Sequence, residues 1–280
     1  MSEPKVVQIS WFDDHFYRVT TEENGEIKEV FIPSVTTKLN AINKPFLYNW
    51  YGDLGTREAN LRKMERAERG SRIHLAWQVY TTGGAVVYQP EKRPVYTQQQ
   101  ILEIEEKYRN IVILYNQDEM WDICKLKQWV EIVKPVFTSS EQIIYSLELN
   151  DAGTMDNLLA IKDGAYFING AKSLFLPAGE YILDLKTGNE VGNEAFMQVS
   201  RYRKLVQKMK IADPKGALII HTGSKNKTGI EGLSTIYLDR DAMDKWDSDY
   251  ELVAQLWHRQ FGDRKPKVFD MPSLITLNNE

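Results

Sequence analysis

Cysteine is nearly absent from this chain: Cys124 stands alone among 280 residues. A single thiol cannot close a disulfide within the chain. It equally excludes the multi-cysteine cages of structural zinc and iron–sulfur clusters. Long apolar runs are missing too, and none approaches the ~20 residues that a membrane-spanning helix requires. The first ten residues lack the basic-then-apolar pattern of a secretory signal. These absences predict a soluble cytoplasmic protein with no membrane partner. No Gly-x-x-x-x-Gly-Lys-[Ser/Thr] segment occurs, so coupling to a nucleotide-driven motor would need another polypeptide. An overall positive charge is also lacking.

The net charge is −4, but it is unevenly spread. Between Gln198 and Thr228 eight basic residues face Asp213 alone, whereas acids gather at Glu103–Glu106 and Asp239–Asp249. A local basic face on an acidic protein can bind phosphates; it can equally be a solvated helix face. With 42% hydrophobic residues, a chain of this length can bury a substantial core.

Patterning predicts an N-terminal hairpin, His15–Val19 and Val30–Ile32 around an Asn24-Gly25 turn. Helical periodicity follows over Tyr48–Tyr80, over Thr97–Asn116, and over Trp121–Val130 until Pro135; Gly83-Gly84 and Pro90–Pro94 read as a loop. The texture then changes to short apolar runs at 142–146, 154–161, 165–168 and 180–185, read as strands of one sheet. A helix over Ala195–Met209, strands at Gly216–His221 and Leu233–Leu238, and a closing helix over Asp241–Phe261 complete the reading. The expected fold is α/β, a mixed central sheet flanked by helices with an N-terminal helical lobe. The expected organisation is one domain over 1–280: hairpin and helical lobe over 1–135, catalytic sheet core over 136–240, and C-terminal helix and tail over 241–280.

Chemistry concentrates in Gly153-Thr154-Met155-Asp156 and, 28 residues after Asp156, in Asp184-Leu185-Lys186-Thr187. Residues two apart in a strand point to one side, so Asp184 and Lys186 project together while Leu185 packs opposite. Asp-x-Lys alone reads more readily as a surface salt bridge than as a catalytic pair. Carboxylates from neighbouring strands, Asp156 and Asp184, make a site for Mg²⁺ or Mn²⁺ that would polarise a phosphodiester and activate water. A lysine beside them can orient that water and stabilise charge developing on the phosphate.

With Arg69-Gly70-Ser71-Arg72-Ile73-His74 before these segments and Gln198-Val199-Ser200-Arg201-Tyr202 after them, the chain resembles the PD-(D/E)XK nucleases. The likeness is to the branch containing the RecB nuclease domain and the mitochondrial genome maintenance exonuclease. That branch has a histidine-ended helix, a Gly-x-x-Asp strand, an Asp-x-Lys strand and a Gln-x-x-x-Tyr helix in this order. The resemblance implies a restriction-endonuclease-like core and one or two Mg²⁺ or Mn²⁺ ions. Their ligands would be His74, Asp156, Asp184 and the carbonyl of Leu185, with Lys186 as catalytic lysine. Glu141, fifteen residues before Asp156, matches an acidic position of the branch: a catalytic carboxylate on water or a second cation, or a solvated glutamate. Gln198 and Tyr202 would face nucleic acid from one helix face. Arg201 and Lys204 beside them, and Ser71 and Arg72 before His74, would contact the strand. Tyr48, Trp50, Tyr51 and Trp77 read either as base-stacking platforms or as core. Iron–sulfur members of the branch carry four cysteines, so no such cluster is expected here.

The implied activity is exonucleolytic hydrolysis of linear DNA, at single-stranded or duplex ends, in replication, recombination or repair in a bacterial or phage-infected cell. An endonuclease for branched or duplex DNA is the alternative. A DNA-binding or assembly protein that kept the fold without catalysis belongs to another class, and the intact set His74, Asp156, Asp184 and Lys186 argues against it.

Overall fold

The computed structural model describes residues 4–11, 14–23, 26–42, 44–262 and 264–266. Three strands open the chain: β1 (Lys5–Trp11), β2 (Asp14–Glu23) and β3 (Glu26–Pro33), an antiparallel sheet in that order. The expected hairpin is therefore two of its strands. The Asn24-Gly25 turn and the C-terminal tail beyond residue 266 lie outside the described residues. Ser34 caps α1 (Val35–Leu39), its hydroxyl accepting from the Thr37 amide.

The long helical stretch is two helices, α2 (Pro45–Leu54) and α3 (Thr56–Thr81). They break at Gly55, whose φ of 76° suits a residue without Cβ. Residues 85–88 form β4 (Ala85–Tyr88), and the stretch read as one helix over 97–116 is α4 (Gln98–Lys107) followed by β5 (Ile111–Leu114). A Thr97–Gln100 capping box starts α4, but none of its residues is buried. The β-branched Ile111-Val112-Ile113 run instead pairs in parallel with β4, a pairing that local periodicity cannot reveal. α5 (Gln117–Val133) closes this lobe.

The central sheet has five strands in the order β12-β11-β10-β7-β6. They are β6 (Val136–Ser146), β7 (Asp151–Ile161), β10 (Gly179–Lys186), β11 (Gly216–His221) and β12 (Ser234–Asp239). Only β10 and β11 run parallel, joined by α6 (Asn193–Lys208), so the sheet is mixed as expected. α7 (Arg240–Phe261) follows β12. The strand expected over 165–168 is not in this sheet. It is β8 (Ala165–Asn169), which pairs with β9 (Lys172–Leu176) as a separate hairpin.

Alternation along β10 divides two cores. Tyr181, Leu183 and Leu185 bury with Trp77 of α3, with Leu126 and Trp129 of α5, and with Phe167 of the hairpin. Ile182 faces the other way, onto Val199 and Leu205 of α6 and Tyr250 of α7. Layers on both faces of one sheet leave its strand ends to carry polar side chains. Among the described residues no helix is long and apolar enough to cross a membrane.

Candidate metal centre and nucleic-acid cleft

β10 delivers the Asp-x-Lys pair as its alternation requires. Leu185 is fully buried in one core, while Asp184 and Lys186 share the other side, Nζ lying 2.8 Å from Asp184 Oδ2. This ion pair is close but poorly aligned. Asp184 is buried, and its Oδ2 makes no hydrogen bond among the described residues. Burial raises the Asp184 pKa above the usual carboxylate range, against the pull of Lys186. Burial also pushes Lys186 down, but the Asp184 and Asp156 carboxylates more than offset this and hold it above an ordinary lysine.

The neighbouring strand supplies Asp156. The β10–β7 ladder ends at Leu183 opposite Asn157, so Asp156 and Asp184 come next in register. There the Asp156 side chain replaces a backbone acceptor, with Oδ2 taking the Leu185 amide at 2.7 Å. In a strand a residue's N–H and C=O point to the same neighbour, so the Leu185 carbonyl lies on the Asp156 side as well. Alternation on β7 breaks here. Met155 and Leu158 share one core, while Asp156 and Asn157 both reach α3, at His74 and Trp77. Opposite Asp156, between the pairs Ser140–Asn157 and Gln142–Met155, stands Glu141 with a φ of 50°. A non-glycine residue in the left-handed region is held there by its surroundings at some cost.

His74 Nδ1 lies 3.6 Å from Asp156 Oδ2. One donor atom each from His74, Glu141 and Asp156 falls within 4.8 Å of the others. Asp184 is outside that trio and is turned to Lys186. Burial and the Asp156 charge push Glu141 up to about 7. Burial lowers His74, but the hydrogen bond and charge of Asp156 more than reverse this and raise it. Burial likewise acts to raise Asp156, and His74 overcomes it, leaving this carboxyl below its ordinary value. An imidazole and clustered carboxylates, with a buried carboxylate oxygen lacking a hydrogen bond beside them, form a donor set suited to a hard divalent cation. A bound cation would be held by His74, Glu141 and Asp156, with Asp184 beside them.

Gln198 and Tyr202 buttress the lysine. Gln198 Oε1 accepts from Lys186 Nζ at 3.1 Å, and Gln198 Nε2 donates to the Tyr202 hydroxyl at 3.2 Å. Tyr202 is buried, and its ring fills the space a Cβ on Gly153 would occupy, 2.4 Å from the ring carbon Cε1. The glycine of Gly-x-x-Asp is thus the seat of the tyrosine of Gln-x-x-x-Tyr. Gly70 serves a similar close approach, since its Cβ would meet Thr187 Oγ1 at 3.2 Å.

An open cleft of about 630 Å³ lies over the trio. Arg66, Gly70, His74 and Gln78, one helical turn apart along α3, form one wall. Glu141, Thr154, Asp156 and Thr187 line the rest with Gln8 of β1. Ser71 also lines it, its hydroxyl turned back to the Ala67 carbonyl. Gln8, Arg66 and Gln78 were not singled out by sequence. The turn-spaced series back from His74 would have found Arg66, whereas Gln8 needs the tertiary fold.

Several nucleic-acid contacts expected from sequence are redirected. Arg201 is buried and bound to Asp151 at 2.7 Å, with Asp247 and Glu251 close by, so it is a core cation rather than a phosphate contact. Lys204 lies 3.4 Å from Asp244, and buried Arg203 is paired with the same carboxylate. The acidic α7 thus neutralises the basic face of α6. Arg72 is half-exposed but turned to the buried Glu119 of α5, 2.7 Å away. Trp77 is core, donating its indole N–H to Asn157 at 2.6 Å; Tyr48 is exposed. No protein-family model matches this chain, and no curated protein matches it.

Proposed function

We propose that this chain is a divalent-metal-dependent nuclease that hydrolyses DNA phosphodiesters, acting as an exonuclease on linear DNA. The observation that carries the reading is the convergence of His74, Glu141 and Asp156 in one open cleft, with Asp184 beside Asp156 in the sheet and paired with Lys186. They come from four separate segments, and the sheet places the two aspartates next to each other in register. A five-stranded mixed sheet between helical layers, with the acidic strands β7 and β10 adjacent, fits the restriction-endonuclease-like core that the motifs imply.

Bound Mg²⁺ or Mn²⁺ would supply Lewis-acid polarisation of the phosphate and a lowered pKa for water. The chain's own groups do the rest. His74, Glu141 and Asp156 provide the ligand trio, and Asp184 adds a further carboxylate and holds Lys186 in its charged form. Lys186, fixed by Gln198, presents an ammonium to the developing phosphorane charge and donates hydrogen bonds to the attacking water. Tyr202 and Gly153 keep Gln198 in place.

The test is cleavage of labelled DNA with Mg²⁺ or Mn²⁺ by wild type, Asp184→Ala and Lys186→Ala. Wild type is expected to cut, and both variants to lose at least a hundredfold in rate while still binding DNA. Equal activity in all three would remove the mechanism. Closed circular single strands are expected to survive while linear strands are digested; cleavage of circles would replace the exonuclease with an endonuclease.

A further inference from the structure

The cleft has carboxylates at its floor, which repel a polyanion. The cations that the sequence offered to offset them are spent elsewhere: Arg201 on Asp151 of β7 and on Asp247 and Glu251 of α7, Arg203 and Lys204 on Asp244 of α7, and Arg69 and Arg72 on Asp122 and Glu119 of α5. Arg62, further along α3, pairs with Glu58. Arg66 differs. It lines the cleft, is exposed, and makes no ion pair or side-chain hydrogen bond among the described residues. It stands two helical turns before His74 on the same stripe, about 12 Å away at 1.5 Å per residue. Between them are Gly70, which leaves the helix surface low, and Ser71. Among the described residues no Phe, Tyr or Trp lines this cleft, so they offer a strand hydrogen-bond donors and charge rather than a broad stacking surface.

We infer that the substrate strand lies along α3, with the Arg66 guanidinium holding a backbone phosphate outside the scissile one. This rests on the nuclease reading and adds a residue that positions substrate without entering the chemistry. A guanidinium fork suits a phosphate's paired oxygens, and the contact carries no base information. Hold on the strand is therefore independent of sequence.

The experiment compares wild type, Arg66→Ala, Arg66→Lys and the exposed loop control Arg93→Ala. Affinity for a labelled 20-nucleotide single strand is read by fluorescence anisotropy in EDTA over a salt series, and KM and kcat are read with Mg²⁺. Arg66→Ala is expected to weaken binding about tenfold on every homopolymer and to lower the salt slope by about 0.7. KM is expected to rise similarly with kcat within twofold, and Arg66→Lys to fall between the two. Binding and KM unchanged in Arg66→Ala, or weakened no more than in Arg93→Ala, would overturn the inference while leaving an active nuclease. A wild type that cuts no DNA removes the nuclease reading, and the inference with it. Circular dichroism checks that the substitution at this exposed site leaves the fold intact.

Discussion

Gly153→Ala tests the coupling of the β7 motif to the α6 motif. The added methyl would sit 2.4 Å from Tyr202 Cε1 and 2.7 Å from both Cζ and the hydroxyl oxygen. Carbon atoms in contact prefer about 3.5–4.0 Å, so the ring must retreat by about 1 Å or more. It has little room, because Tyr202 is buried among Val199, Leu205 and Val206. Overpacking of this kind costs about 1–3 kcal/mol. At roughly 2–4 °C per kcal/mol for a chain of this size, Tm is expected to fall by about 2–12 °C. The same movement stretches the 3.2 Å bond from Gln198 beyond hydrogen-bonding range. Gln198 then loses the anchor that points its Oε1 at Lys186, and a displacement near 1 Å costs about a hundredfold in kcat. Calorimetry and single-turnover cleavage read the two effects separately. The double variant Gly153→Ala/Tyr202→Leu removes the ring and is expected to recover most of the stability but not the rate. A Gly153→Ala protein with wild-type Tm and rate would refute the close-approach argument, as would a double variant no more stable than the single one.

Further outcomes follow from the same geometry. Asp151→Ala leaves Lys38 and Arg201, both buried against this carboxylate at 2.7 Å, without their shared partner; a loss of about 3–5 kcal/mol is expected in urea denaturation. Lys38→Met should cost less, since Arg201 and the Tyr250 hydroxyl still serve Asp151, and equal losses would show that Asp151 is not the hub. Glu141, held at about 7 in the metal-free protein, should make Mn²⁺ affinity steeper in pH below 7 by one proton. Isothermal titration from pH 5.5 to 8.5 should find the slope one log unit per pH lower in Glu141→Gln. Because this folded value lies above that of the unfolded chain, the metal-free protein should lose stability as pH rises from about 4.5 to about 7. The Glu141→Gln variant should lack that decline, and parallel stability curves would show that Glu141 is not perturbed. Trp77→Phe removes the indole donor from buried Asn157 and should cost about 1–3 kcal/mol in the same denaturation assay.

Much of the fold was legible because it depends on local pattern. β10 and β11 are continuous buried runs, and α7 has an amphipathic period with an Asp239 cap. The misread stretch at 97–116 shows where this stops. Ile101, Ile104, Tyr108, Ile111 and Val112 satisfy a helical period, yet Ile111–Leu114 is a strand because β4 lies beside it. Residues 165–168 of β8 were read into the main sheet for a similar reason, since strand character is local but strand partners are not.

The sequence by itself determined that Asp184 and Lys186 share one side of β10, that Gln198 and Tyr202 share one face of α6, and that no thiolate cluster forms on this chain. Each follows from residue type and spacing along a single element, where backbone geometry alone orients the side chain. Only the tertiary structure decided which charges meet. It set Glu141 against Asp156 in a left-handed kink, turned Asp184 towards Lys186, and seated Tyr202 over Gly153. It also spent Arg201 on Asp151 of β7 and Lys204 on Asp244 of α7, and left Arg66 in the cleft. Charge acts over a few ångströms in space, and chain separation says little about that distance until strands and helices have paired.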